Sequence, residues 1–150
     1  MRMVRAVVVV AVLMFSGALA ALIAQQQPPE GQAAGGRSGR GWEIPAGAAK
    51  EANPIPETPE NLEKGKKVYN SKCKRCHGDA GKGDGPDAEP DEQPEDLSDP
   101  SRAARNPDGV MFYKIWNGRK SPKMPAFKSE GLSKEDVWTV VQYTKTLRGK

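Results

Sequence analysis

Five consecutive residues, Cys73-Lys74-Arg75-Cys76-His77, constrain this chain more than any other stretch. Two cysteines separated by two residues, with a histidine directly after, form the C-x-x-C-H signature of c-type haem attachment. The gap sets the sulfurs about one helical turn apart, so that each can add across one porphyrin vinyl group. His77 then falls under the iron as its proximal nitrogen ligand. Two other uses of paired cysteines fit less well. A thioredoxin-type C-x-x-C belongs in a βαβ pattern, whereas a helical stretch precedes this one. A structural zinc site takes four Cys or His ligands, and the whole chain holds 2 cysteines and 1 histidine.

Both cysteines are therefore spent on the motif, and no disulfide is left to brace a small core. A bound haem would supply the apolar surface instead. The length of 150 residues, with 13 Pro and 16 Gly, leaves room for one domain of about 90 residues beside a targeting segment and a linker. The formal charge of +4 falls to +2 without Arg2 and Arg5, and two haem propionates bring it near zero. The basic balance is no argument for nucleic acid, and no motif of that kind is present.

Residues 1–24 carry Arg2 and Arg5, then an apolar run, then Ala18-Leu19-Ala20, the n-, h- and c-regions of a signal peptide. Ala6 to Ala24 is 19 residues without a charge, close to the ~20 that span a bilayer, so the same stretch also reads as a membrane anchor. Either reading exports the chain, to the periplasm. Cleavage is favoured because Gly17 and the A-x-A triplet interrupt an otherwise Val-rich run. Residues 25–57 are rich in Gln, Pro, Gly and Ala without apolar periodicity and read as a flexible linker, with a reach of roughly 30 Å. Within it, Trp42 and Ile44 read as an exposed pair rather than a docked one.

The folded domain is expected over residues 58–150. Thr58 supplies an N-cap and Pro59 the first helical position. Leu62, Gly65, Val68 and Tyr69 recur at helical spacing up to the motif, and Gly65, unfavourable inside a helix, marks close contact with another helix. The glycine-rich run 78–86 resembles a phosphate loop only superficially, since no strand precedes it and no Gly-Lys-Ser/Thr follows. It reads as a loop passing close to the porphyrin edge. Residues 84–99 hold eight acids and no base, yet lack the calcium-binding EF-hand pattern, and read as a solvated loop. A short helix follows, with Asn106 as N-cap, Pro107 first and Gly118 as stop. Its stripe is Val110, Met111 and Ile115, joined by Phe112 or Trp116. A basic loop covers 119–131. The last helix opens on Ser133 and Asp136 as a capping box, buries Val137, Val140, Val141, Thr144 and Leu147, and ends at Gly149.

With one histidine in the chain, a second axial ligand must come from elsewhere, and the usual soft alternative is a methionine thioether. Met1, Met3 and Met14 lie in the leader. Met111 sits in a periodic helix, where a core role serves it better. Met124 lies in an irregular loop beside Pro125, which stiffens the main chain, and is assigned as the ligand. Met/His ligation implies a raised potential suited to electron transfer.

From about Thr58 to Lys150 the chain resembles a class I monohaem cytochrome c of the bacterial periplasmic kind. The resemblance rests on Cys73-Lys74-Arg75-Cys76-His77-Gly78, Gly81-Lys82-Gly83-Asp84-Gly85-Pro86 and Met124-Pro125-Ala126-Phe127, in the family's order, with Val137-Trp138 and Tyr143 in the closing helix. It implies an all-α fold in which the first and last helices cross, Gly65 and Tyr69 meeting Val140 and Tyr143. It also implies that the carbonyl of Pro86 accepts a hydrogen bond from His77 Nδ1. Pro94-Glu95-Asp96-Leu97 is further similar to small cytochrome c domains appended to respiratory complexes.

The expected function is one-electron transfer by a single haem c held through Cys73 and Cys76, as a monomer or a subunit of a larger complex. An enzyme or gas sensor with an open iron position is the rival; such a protein usually has a distal acid or base, whereas this chain has no second histidine and Met124 is expected to fill the vacant position. Redox partner proteins are expected at a basic face. By the resemblance, Lys72, Lys74, Arg75, Arg119, Lys120, Lys123 and Lys128 border the exposed haem edge, with the acids of 84–99 away from it.

Overall fold

Thr58 ends an extended stretch and turns the chain into helix α1 (Pro59–Lys72): its Oγ1 accepts a hydrogen bond from the Asn61 amide, and Pro59 takes the first position, where no amide hydrogen is needed. The computed structural model describes residues 37–38 and 41–149. Helix α2 (Lys74–His77) follows α1 directly, so that the C-x-x-C-H motif is the short turn closing the first helix. Helices α3 (Asp108–Asn117) and α4 (Lys134–Lys145) complete the set, with single 3-10 turns at Ala48–Lys50, Pro90–Glu92 and Phe127–Ser129 and a longer one at Pro100–Arg105. The one strand pairing among the described residues joins β1 (Arg37–Ser38) and β2 (Trp42–Glu43), antiparallel.

The organising contact is the crossing of α1 and α4. Gly65 lets the two backbones meet: a Cβ there would stand 2.7 Å from the carbonyl carbon of Thr139 and 2.9 Å from Cβ of Tyr143. One turn on, the Tyr69 and Tyr143 rings pack with centroids 5.3 Å apart, and the buried Tyr69 hydroxyl donates to the carbonyl of Gly78 at 2.7 Å. Buried Val137, Val140 and Val141 of α4 then join Met111 and Ile115 of α3 in one core. The Lys64–Glu135 ion pair over the crossing is exposed, and such pairs contribute little, so burial and close backbone approach hold these helices together. The fold is all-α, a small cytochrome c fold with crossed first and last helices.

Three sequence expectations need correcting. Asn106 is not the cap of α3. Pro107 holds that position without a side-chain bond, and Asn106 is buried, accepting from Lys114 Nζ at 2.5 Å while donating to the Arg102 carbonyl. Helix α4 stops at Lys145 instead of running to Gly149. Thr146 caps it, Leu147 stays buried in the following turn, and the Gly149 amide reaches the carbonyl of Ser98.

The third correction is larger. Residues 41–57 do not form a free linker. Trp42, Ile44 and Ala48 are buried in a second apolar cluster with Val110 of α3. Gly109 leaves α3 bare enough for the carbonyl of Ala48 to press on it. Further along, Asn53 Nδ2 donates to the Trp138 carbonyl at 2.9 Å, and Gln142 Nε2 donates to Glu57 at 2.6 Å. The folded body therefore begins before Thr58. The expected leader, 1–24, and the linker up to residue 36 lie outside the described residues.

Candidate functional site

One cleft gathers the chemistry. Its walls include Cys73, Cys76 and His77 from the end of α1 and from α2, Met111 and Ile115 from α3, Met124 and Phe127 from the loop before α4, and Val140 from α4 itself. The empty space, open mouth included, is about 930 Å³.

Each donor is held by its local backbone. The amides of Cys76 and His77 both bond back to the Cys73 carbonyl, at 3.2 and 2.9 Å. The thiols are free of any disulfide. Burial, and secondarily Cys76, pushes the Cys73 thiol up to about 12, whereas redox-active C-x-x-C cysteines have lowered values. This further disfavours a thioredoxin-like use.

His77 Nδ1 donates to the carbonyl of Glu95 at 3.3 Å. Burial holds the imidazole below its ordinary value, so it is neutral, with Nε2 left as a lone-pair donor suited to a metal. The resemblance offered Pro86 for this contact, and the structure replaces it with Glu95. The reason lies in the loop 78–86, which folds back under the motif instead of along the cleft. Its amides at Gly83 and Gly85 donate to the carbonyls of His77 and Cys76, and Asp87 donates to that of Arg75. Pro86 is thus carried away from the imidazole and lies exposed. The Leu97 amide bonds to the Gly81 carbonyl at 2.6 Å, which draws residues 94–97 over the ring instead.

Met124 is fixed by a bridge that spacing alone does not reveal. Arg119 and Met124 exchange both backbone hydrogen bonds, at 2.8 and 2.9 Å, closing the loop 120–123 into a tight turn. Gly118, at φ +59°, packs against the backbone of residues 124–126, where a side chain finds no room. Met111 also lines the cleft, from α3, but is part of the core cluster.

Several cleft residues escaped the sequence reading. Glu95 carries a carboxylate that Arg102 grips at 2.9 Å. Desolvation tends to raise Glu95, but the bonds from Arg102 and Asn106 and the charges of Lys114 and Arg102 outweigh it and hold it below the ordinary value. Lys114 lies buried in the cleft wall, and Trp42 lies beneath both Lys114 and Arg119, 5.5 and 4.6 Å from its ring centroid. The one signal for Lys114 was a cation inside the apolar run Val110–Trp116. The acidic stretch also departs from expectation, since Glu92 and Glu95 line the cleft and Glu92 accepts from the Lys123 amide at 3.1 Å. Asp87 and Asp79 pair with Arg75 and Lys74. The rim is mixed in charge, not purely basic.

An apolar slot, two free thiols one turn apart, a neutral imidazole and a thioether make a donor set that fits haem and suits few other groups. Fold and site together define a c-type cytochrome domain. The chain belongs to the family described as cytochrome c oxidase, cbb3-type, subunit III, whose family model matches residues 60–143. No curated protein matches the chain. Membership of this family makes haem the cofactor and electron transfer the role.

Proposed function

We propose that this chain is an exported one-electron carrier with one haem c, held by thioether bonds to Cys73 and Cys76 and by axial ligation from His77 and Met124. The observation that carries this reading is the convergence of those four side chains, from two separate segments, on one apolar cleft. The bound haem supplies an Fe(II)/Fe(III) couple. The chain's own residues set its character. Glu95 orients the imidazole through its carbonyl, the Met124 thioether favours the reduced state, and Phe127, Ile115 and Val140 exclude water, which together raise the potential. With His77 and Met124 both holding the iron, no position would be left there for a substrate, which separates this reading from an oxidising enzyme or gas sensor. Redox partners dock at the rim, where Lys72, Lys120, Lys123 and Lys128 stand.

Expression in a host that matures haem c, followed by haem staining of a denaturing gel, tests the attachment. Haem should migrate with the polypeptide and be lost in the Cys73→Ser, Cys76→Ser double variant. A well-folded double variant beside a haem-free parent would overturn the proposal.

A second reading makes the chain a tethered subunit of a membrane oxidase, supported by the family match and by the expected anchor in residues 6–24. Among the described residues no helix is long and apolar enough to cross a membrane. Fractionation of membranes with and without detergent distinguishes the carrier from the subunit, and mass spectrometry of the N-terminus reports whether Met1–Ala24 is retained.

A further inference from the structure

Glu95 touches the imidazole with its backbone and the rest of the fold with its side chain. Its carbonyl accepts from His77 Nδ1 at 3.3 Å, long for a hydrogen bond, so a small drift of this residue breaks the contact. Yet Glu95 lies in an irregular stretch, and no main-chain hydrogen bond among the described residues involves its amide or carbonyl. The nearest main-chain ties come later, from the Leu97 amide to Gly81 and from the Gly149 amide to Ser98. Residue 95 is fixed by its carboxylate instead. Oε1 accepts from Arg102 Nη1 at 2.9 Å and from Asn106 Nδ2 at 3.4 Å, and Oε2 stands 3.9 Å from Lys114 Nζ. The donors are themselves aimed. Asp99 caps the turn Pro100–Arg105 by accepting from the Ser101 amide at 2.8 Å, and its other oxygen holds Arg102 Nε at 3.1 Å. Asn106 donates to the Arg102 carbonyl and accepts from Lys114 Nζ at 2.5 Å. The turn and helix α3 thus close a partly buried ring of contacts on one carboxylate, where charge-assisted hydrogen bonds are strong.

We propose that Arg102, backed by Asp99 and Asn106, is a positioning residue for the axial imidazole and acts through the Glu95 carboxylate. This rests on the haem reading above, in which His77 holds the iron. Pinning the carboxylate fixes the Cα of the same residue, and with it the direction of the carbonyl that faces Nδ1. The partner on the second ring nitrogen sets both the orientation and the basicity of a ligating imidazole. Arg102 does not line the cleft, so its hold on the ring is indirect. Without it, residue 95 keeps its place in the chain but its carbonyl is free to swing off Nδ1.

His77 is the only histidine of the chain, so labelling histidine with nitrogen-15 lights a single ring. The test follows exchange of its Nδ1 proton with deuterium by NMR, in the mature, reduced holoprotein. Arg102→Met should speed that exchange about tenfold, the effect of losing one hydrogen bond to a charged group, while the backbone amides of α4 keep their parent rates. Arg105→Met, the same loss of charge at an exposed position of the same turn, should leave the Nδ1 rate unchanged. Glu95→Met keeps the carbonyl but removes the carboxylate, and should match Arg102→Met. In the double variant the second change should add less than about twofold, because both act through one contact. A parent-like Nδ1 rate in Arg102→Met, with haem attached, would overturn the proposal. Equal acceleration of the α4 amides would also overturn it, by making Arg102 a prop of the whole fold. Fully additive effects would overturn the route through Glu95. Should Arg102→Met fail to mature, Arg102→Lys, which cannot hold Glu95 and Asp99 together, should still exchange faster than the parent, and a parent-like rate there counts against the proposal equally. A parent protein without covalent haem on the denaturing gel would sink the haem reading first, and is seen before any spectrum is taken.

Discussion

Gly65 of α1 lies against the main-chain carbonyl of Thr139 in α4, with no space between them for a β-carbon. The obstruction is backbone and cannot rotate away. Gly65→Ala gains up to about 1 kcal/mol in helix propensity but must push the helices apart, at a cost of about 1–3 kcal/mol for overpacking. The expected outcome is net destabilisation, with loosened packing of Tyr69 on Tyr143. Denaturant unfolding of the holoprotein checks it, and a more stable variant would mean that the helices can separate freely.

Met124 and Met111 both face the cleft, and their surroundings predict opposite results. Met124 sits in a loop pinned by the Arg119 bridge and packs, only partly buried, against the edge of the core, whereas Met111 is buried within it at 8% exposed. Met124→Ala should keep the haem attached, lower its potential and abolish the long-wavelength charge-transfer band of a ferric iron–thioether bond. Met111→Leu, a volume-conserving swap costing under about 1.5 kcal/mol, should leave that band in place. Survival of the band in Met124→Ala would reassign the ligand.

Asp136 gives a dependence on pH. Its carboxylate accepts from the Ser133 hydroxyl at 2.6 Å and the Ser133 amide at 3.0 Å, and these bonds hold it below its ordinary value of 3.8. A depressed carboxyl stabilises the fold above its unfolded value and loses that contribution as pH falls through the folded one. Asp136→Ala should therefore cost about 1 kcal/mol near neutrality, a difference that shrinks toward zero as pH drops below 3.8. Unfolding of both proteins at neutral and acid pH measures it. A gap independent of pH would mean that the ionised Asp136 carboxylate does not carry the effect.

Where local chemistry decides structure, the sequence was legible. Thr58-Pro59, Ser133 with Asp136, and Gly65 each act through neighbours within a turn or through one close approach, and the structure uses them as their residue types suggest. The attachment motif needs only its own spacing. Misreadings fell where a residue's role depends on distant chain. Trp42 and Ile44 looked exposed because nothing nearby covers them, and their cover comes from α3, more than sixty residues on. Pro86 and Glu95 are both near His77 in sequence, and only the bond from Leu97 to Gly81 decides which stretch lies over the ring. Lys114 reads as a solvated interruption of a stripe until the burial of its helix is known.

The mixed charge of the rim sharpens the docking prediction. Lys74 and Arg75 are spent on Asp79 and Asp87, so their field beyond the surface is largely cancelled. Lys120 and Lys123 are exposed on the turn beside Met124, where Glu92 meets Lys123 through the backbone amide and not through the ammonium. Lys128 follows, donating to the neutral Asn117 side chain at 3.0 Å. Charge available to steer a partner is therefore concentrated on the Met124 side of the cleft. Converting Lys120, Lys123 and Lys128 together to Glu should slow electron transfer to an acidic redox partner by ~10-fold or more, within the 10 to 1,000-fold that steering supplies. Lys74→Glu with Arg75→Glu should have a smaller effect. The parent rate should fall with added salt as the Debye length shortens from about 10 Å at 0.1 M, and the triple variant should lose that dependence. Stopped-flow kinetics across ionic strength reads both. A flat salt profile in the parent, or a triple variant as fast as the parent, would move docking to an uncharged surface.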